Sequence, residues 1–271
     1  MLAGGVAAGA FGSILGLGGG LLIVPLLTLG FGLPLREAVG CSLVCVIVTS
    51  SASAGVYLQR RQANLRLGMV LELFTAAGAI VGGAIAFLID ERVLAGLFAV
   101  LLVYVAVTML GGLRQQAPAA PATDVETPPP SDTAAAGPGG DREDRGYATE
   151  RLPLAALGSV GAGVASALLG IGGGLIKVPV MHLVLGVPLR VATATSNLMI
   201  GITASASAAV YLVRGGIDAY VTGPTAIGVF VGATLGSRLG HRISVRSLRV
   251  LFVAVLLYTA VEMARKALGL G

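Results

Sequence analysis

Two short glycine clusters, each followed by a proline, are where chemistry is first to be sought. Gly16-Leu-Gly-Gly-Gly20 precedes Pro25, and Gly170-Ile-Gly-Gly-Gly174 precedes Pro179. A glycine weakens a helix by about 1 kcal/mol and a proline by about 3. Each cluster is therefore expected to interrupt one helix and let a second begin after Gly20 and Gly174. The first turn of a helix has N–H groups without intrahelical partners and carries about half a positive charge. Glycine lets a ligand approach that backbone closely. Two such helix starts suit a small anion, which makes Gly18, Gly19, Gly20, Gly172, Gly173 and Gly174 candidate substrate-binding residues. The alternative use of these glycines is tight helix crossing. A dinucleotide site does not fit, because the third glycine of that fingerprint is missing and no strand or acidic residue accompanies it.

Polar side chains near the clusters extend the candidate site. Ser42, Ser196 and Asn197 fall at the start of the apolar run that follows each cluster. The other hydroxyls of those runs, such as Thr49 and Thr203, are expected to serve hydrogen bonds between helices. Lys177 stands three residues past Gly174 in an apolar run, where the first cluster has Ile23. A cation at membrane depth costs at least ~2.5 kcal/mol unless paired or hydrated. Lys177 is thus expected either to supply charge to an anion or to snorkel to an interface. Arg36 and Arg190, each after Pro-Leu, are expected to be interface anchors or to flank the mouths of a path. Glu72, His182 and Glu262 are the nearby groups able to carry a proton. No metal or redox spacing is present, and Cys41 and Cys45 read as small buried hydrophobes. No cofactor is implied.

The elements that must hold these residues are apolar helices. Of 271 residues, 55% are hydrophobic and 11% charged, against about 25% charged in soluble domains. Apolar runs at 39–58, 68–89, 93–113, 190–212, 220–237 and 250–268 each approach the ~20 residues that span a bilayer. Two longer stretches, 1–33 and 152–189, contain the glycine breaks. Backbone amides in lipid must pair internally, so the runs are helices. No basic region precedes Arg36, so the N-terminus is read as mature protein rather than a signal peptide. The net charge of +5 is mostly arginine between apolar runs, a topology signal and not a nucleic-acid one. Residues 114–151, with Pro128-Pro-Pro130 and Gly137-Pro-Gly-Gly140, read as a disordered linker.

The sequence repeats itself around that linker. Pro25 and Pro179 stand 154 positions apart (179 − 25), and the same offset pairs Arg36 with Arg190, Ser42 with Ser196, Tyr57 with Tyr211 and Tyr104 with Tyr258. Roughly half of the positions from 16 to 58 are identical without a gap, which marks a repeat. Residues 1–113 and 152–271 are therefore two copies of one unit. An even number of crossings per copy divides the cations eight against seven. An odd number puts ten on one side (Arg60, Arg61, Arg66, Arg114, Arg151, Arg190, Arg238, Arg242, Arg246, Arg249) and five on the other (Arg36, Arg92, Arg214, Arg265, Lys266). The second division follows the positive-inside rule. It predicts an all-α integral membrane protein of two inverted repeats, each a glycine-broken helix followed by three transmembrane helices, with the linker in the cytoplasm. Gly228, Gly232, Gly236 and Gly240 recur every four residues along one helix face. This is a close-packing stripe, used within the chain or between two protomers of a homodimer.

Two halves with G-x-G-G-G, then Val-Pro, then a serine-rich helix resemble the sulfite exporter TauE/SafE family. The residues carrying the resemblance are Gly16 to Gly20 with Val24-Pro25, Gly170 to Gly174 with Val178-Pro179, Ala38 with Ser42, and Ala192 with Ser196. The likeness covers nearly the whole chain outside the linker. It implies a multi-pass cell-membrane transporter of sulfite, a sulfonate, sulfoacetate, thiosulfate or a related small anion, and export is the expected direction. A passive anion or solute channel is the competing reading. An enzyme is disfavoured, since His182 and His241 are the only histidines and no nucleophile-plus-base pattern is visible. A membrane scaffold is the remaining class.

Overall fold

The computed structural model describes residues 1–14, 20–59, 65–114, 152–239 and 245–269. Gly18, Gly19, Gly240 and the expected linker lie outside them, apart from Arg114 and the ends it adjoins. Among the described residues the regular elements are all helices: α1 (Leu2–Ile14), α2 (Gly20–Pro25), α3 (Leu35–Gln59), α4 (Leu65–Ala86), α5 (Glu91–Arg114), α6 (Leu152–Leu169), α7 (Gly174–Pro179), α8 (Leu189–Val213), α9 (Ala219–Leu239) and α10 (Val245–Ala267). Each of the six expected spans is one of the helices α3–α5 and α8–α10. Among the described residues four helices are long and apolar enough to cross a membrane: Leu67–Ala86, Glu91–Leu110, Val191–Val213 and Ala219–Gly236. Leu73, Ile80, Val100, Val107, Leu157 and Ile227 all face outward. Such an apolar exterior matches lipid, and the chain is a multi-pass membrane protein.

Pro25 and Pro179 end α2 and α7 as α-helices, but the chain continues as π-helical turns, Leu26–Gly30 and Val180–Val184. Proline has no N–H to donate and crowds the carbonyl four residues back, so the ladder shifts there instead of stopping. Both segments then end on a left-handed glycine, Gly32 or Gly186, with Leu33 N–H donating to Leu27 O (3.1 Å) and Val187 N–H to Met181 O (3.1 Å). Each bond reaches back six residues, one more than in a Schellman motif, as fits the wider π turn it closes. In the second unit the chain break itself is Gly170, Gly172 and Gly173, at φ +70°, +74° and +74°, a region open to glycine without a Cβ penalty.

The units exchange their first helices. α1 packs on α9 and α6 packs on α4, backbone to backbone. A Cβ at Gly228 would lie 2.3 Å from Leu2 O, at Gly232 2.1 Å from Val6 O, and at Gly236 2.6 Å from Ala10 O. Of the two uses foreseen for the glycine stripe, these three residues serve packing within the chain. Likewise a Cβ at Gly78 would lie 2.2 Å from Val160 O and at Gly163 2.0 Å from Thr75 O.

Two packed pairs of helices, α3 with α8 and α5 with α10, run antiparallel. On α3, Gly40 lies against Gly216, just past the end of α8, while Ser50 donates to Asn197 O near the start of α8. On α5, Gly96 near the start faces Ala267 at the end of α10, and Arg92 lies beside Gly269. The α2 and α7 segments are held at the centre, where Ile23, Val24, Leu43 and Val46 join Ile171 and Ala204 in one apolar core.

Candidate functional site

The glycine-rich break before α7 is needed because side chains of α3 and α8 close on it. A Cβ at Gly172 would meet Ile200 Cγ2 at 2.6 Å and Val46 Cγ1 at 2.8 Å, and one at Gly174 would meet Ile200 Cδ1 at 2.5 Å. Beside this break lies a cavity of about 310 Å³. Its walls are Leu21 of α2, Ile171 in the break, Gly174, Leu175, Val178 and Pro179 of α7, and Thr193, Ser196, Asn197 and Ile200 of α8. Both units therefore contribute. Of the residues expected from sequence, Gly174, Ser196 and Asn197 line this space together.

Ser196 and Ser42 occupy the same place in the repeat and are used differently. Ser42 is buried, and its hydroxyl lies 2.8 Å from Gly170 O and 3.1 Å from Gly20 O. It is a strut tying the starts of both broken segments to α3, and it does not border the cavity. Ser196 is 1% exposed, lines the cavity, and its hydroxyl has no hydrogen-bond partner. Buried polar groups are nearly always paired, so an orphan needs an explanation. Gly20 begins α2 behind Ser42, Gly172 packs on α3 and α8, and Gly173 packs on Ala162 O and Ser166. These three shape the break and do not border the cavity.

Lys177 is neither a free counter-charge nor a snorkelling lysine. It is 2% exposed, and its Nζ donates to Glu72 Oε2 at 2.5 Å and to Thr203 Oγ1 at 2.6 Å. Thr203 Oγ1 in turn donates to Glu72 Oε1 at 2.6 Å. The helical pitch of α7 explains the arrangement. Gly174, Leu175 and Val178 face the cavity, whereas Lys177 points to α4. Glu72 is therefore two turns inside α4 and buried, not at a span end. The pairing was not readable from spacing, because the partners are 105 residues apart. The one available signal was that an acid and a base share otherwise apolar interiors.

Other candidates are placed plainly. Arg36 donates through Nε to Ala86 O at 3.1 Å and through a terminal nitrogen to Ile89 O, and it lies over Phe87 at 5.9 Å. It caps the end of α4, since the last carbonyls of a helix lack partners. Arg214 lies over the same ring at 5.9 Å. The Arg190 side chain is outside the described residues. His182 Nδ1 sits 2.9 Å from Val187 O, and Glu262 pairs with exposed Arg265. Cys41 and Cys45 are free and buried. A larger cavity of about 430 Å³ between α1, α2 and α10 is walled almost entirely by apolar side chains. Its Thr259 hydroxyl is already bonded to Val255 O and Leu256 O.

The assembly is thus a bilayer-length helical bundle with two broken segments and a small neutral, polar-lipped cavity between its halves. Residues 1–263 match the family described as Sulfite exporter TauE/SafE. The chain belongs to the TauE/SafE family. Two curated relatives of this TauE/SafE protein are similar along nearly their full length. The "Probable membrane transporter protein YunE" of Bacillus subtilis is 24% identical over 93% of this chain and 92% of its own. The "Probable membrane transporter protein MJ0441" of Methanocaldococcus jannaschii is 27% identical over 92% and 88%. No solved structure matches the chain. The TauE/SafE protein is a membrane transporter and not an enzyme.

Proposed function

We propose that this transporter is a secondary carrier, and an exporter, of a small sulfur-containing oxyanion such as sulfite, a sulfonate or sulfoacetate. The observation carrying the site is the unpartnered, buried Ser196 hydroxyl on the wall of the 310 Å³ cavity. A hydroxyl in that state is completed by an acceptor, and an oxyanion oxygen is one. Asn197 adds an amide, and Gly174 and Leu175 open α7, where N–H groups lack intrahelical partners. Neutral donors hold an anion without trapping it, as transport requires. The remaining wall, Leu21, Ile171, Val178 and Ile200, is apolar and suits the short organic tail of a sulfonate. The family's description supports sulfite or a related anion as cargo.

The carrier reading rests on an inverted repeat, with the linker cytoplasmic and the site between the repeats. Two observations support it. Equivalent helices α3 and α8, and α5 and α10, run antiparallel. Arg36 and Arg214 share the Phe87 ring, and Arg92 lies by Gly269, next to the Arg265–Lys266 end. Those five cations fall on one face only with an odd number of crossings. Inverted repeats place their cargo at broken helices near the midplane, and rocking of one repeat against the other would alternate its exposure.

Thermal unfolding of the detergent-purified protein across sulfite, sulfate, thiosulfate, taurine, sulfoacetate, acetate and chloride tests the cargo, since a ligand of the folded state raises stability. A selective rise with one sulfur oxyanion is expected. No rise with any of them, together with non-saturating flux in liposomes, would replace the carrier by a channel.

A further inference from the structure

Glu72, Lys177 and Thr203 form a second polar site that the anion cavity does not include. It joins α4 of the first repeat to α7 and α8 of the second. Both charged groups are nearly inaccessible, at 4% and 2% exposure. A structural staple is the plain explanation, and the repeat itself argues against it. At the offset of 154, Lys177 corresponds to Ile23 and Glu72 to Ala226, while Thr203 corresponds to Thr49. The first repeat seats its broken segment with Ile23 and Ala226 in one apolar core. The same architecture therefore stands without an ion pair. Buried pairs are in general no more stable than well-packed apolar replacements.

Resting on the transport reading above, we infer that Glu72 is the binding site of a coupling proton, and that proton and anion cross together. At rest Glu72 carboxylate and Lys177 ammonium cancel. One proton taken from water converts Glu72 to the neutral acid, and Lys177 keeps its own. The site then carries one uncompensated positive charge inside an apolar bundle, which a monovalent anion restores to zero. The anion cavity lies on the adjacent side of α7, with Gly174 one turn before Lys177. Each ligand thus favours the other, and the linkage is reciprocal. Thr203 can reverse its hydrogen bond as Glu72 changes from acceptor to donor.

Among the described residues no other titratable group facing the pair competes for this role. α6 has no titratable residue. On α8, Tyr211 donates to Ala167 O, and Arg190 is at the helix start. On α4 the only other ionisable residue is Arg66, in the first turn. His182, beyond α7, is exposed and bonded to Val187 O.

The test uses full-length protein in liposomes, with labelled methanesulfonate as a monovalent probe that carries no proton itself and a pH dye inside. One proton is expected to enter per methanesulfonate, with no dependence on membrane potential. Glu72→Gln leaves Lys177 permanently unbalanced. It should abolish proton entry and cut net uptake about tenfold or more, while labelled-for-unlabelled exchange continues. The double variant Glu72→Ala, Lys177→Ile copies the first repeat, should fold, and should also move no protons. Methanesulfonate uptake without protons in the wild type, or proton coupling surviving in either variant, would overturn the inference. Absence of any methanesulfonate or sulfite transport would instead overturn the transport reading, and the coupling with it.

Discussion

Alanine at Ser42 and at Ser196 should have opposite effects, although the two serines are repeat equivalents. Ser42→Ala removes the hydroxyl that lies 2.8 Å from Gly170 O and 3.1 Å from Gly20 O. The single buried O–H that the two carbonyls share is lost, a cost of about 1–2 kcal/mol. Ser196→Ala removes a buried hydroxyl that bonds to nothing. Burying such a group unpaired costs about 1–3 kcal/mol, so the alanine protein should be more stable by about 1 kcal/mol. In return it loses a hydrogen bond to a charged ligand, worth about 1.5–3 kcal/mol, or roughly 10- to 100-fold in affinity. Melting curves of purified wild type, Ser42→Ala and Ser196→Ala, with and without the stabilising anion, read both quantities. The expected order without anion is Ser196→Ala highest and Ser42→Ala lowest, with the anion-induced rise lost only in Ser196→Ala. If Ser196→Ala melts as low as Ser42→Ala, the hydroxyl has a protein partner. An unchanged anion response would remove Ser196 from the binding site.

Within α6, Gly163→Ala sets a Cβ 2.0 Å from Thr75 O and should cost about 1–3 kcal/mol by forcing α4 and α6 apart. Gly161→Ala, which meets nothing within 4 Å, should gain up to about 1 kcal/mol of helix propensity, and the same melting assay compares them. Lys177→Ile alone strands Glu72 and should cost about 3–5 kcal/mol, most of it regained when Glu72→Ala is added; equal melting of single and double variants would refute this. Single cysteines at Arg61 and Arg214 should react with an impermeant maleimide from opposite faces, and labelling from the same face would remove the inverted topology.

Much of the fold was legible because its determinants are local. Apolar run length sets each span, and the six expected runs are α3–α5 and α8–α10. The glycine clusters and prolines announced the interruptions, since glycine's freedom and proline's missing N–H act wherever they stand. The π turns after Pro25 and Pro179 were not foreseen, because how a broken ladder resumes depends on what packs around it. Arginine placement favours an odd number of crossings per repeat, a membrane property written along the chain.

The site was only half legible. Ser196, Asn197 and Gly174 were readable as neighbours of a helix break. Ser42 carries the same signature and became a strut. Its hydroxyl is taken up by Gly20 O and Gly170 O, one carbonyl from each repeat. Sequence alone determined that there are two copies, where their helices run and break, and which family they form, because those follow from composition and spacing within a few turns. Tertiary structure alone decided that Lys177 answers Glu72, that the glycine stripe of α9 is filled by α1, and that one serine of a matched pair stays unpaired. Those outcomes depend on contacts between residues more than a hundred positions apart, and no periodicity along the chain encodes them.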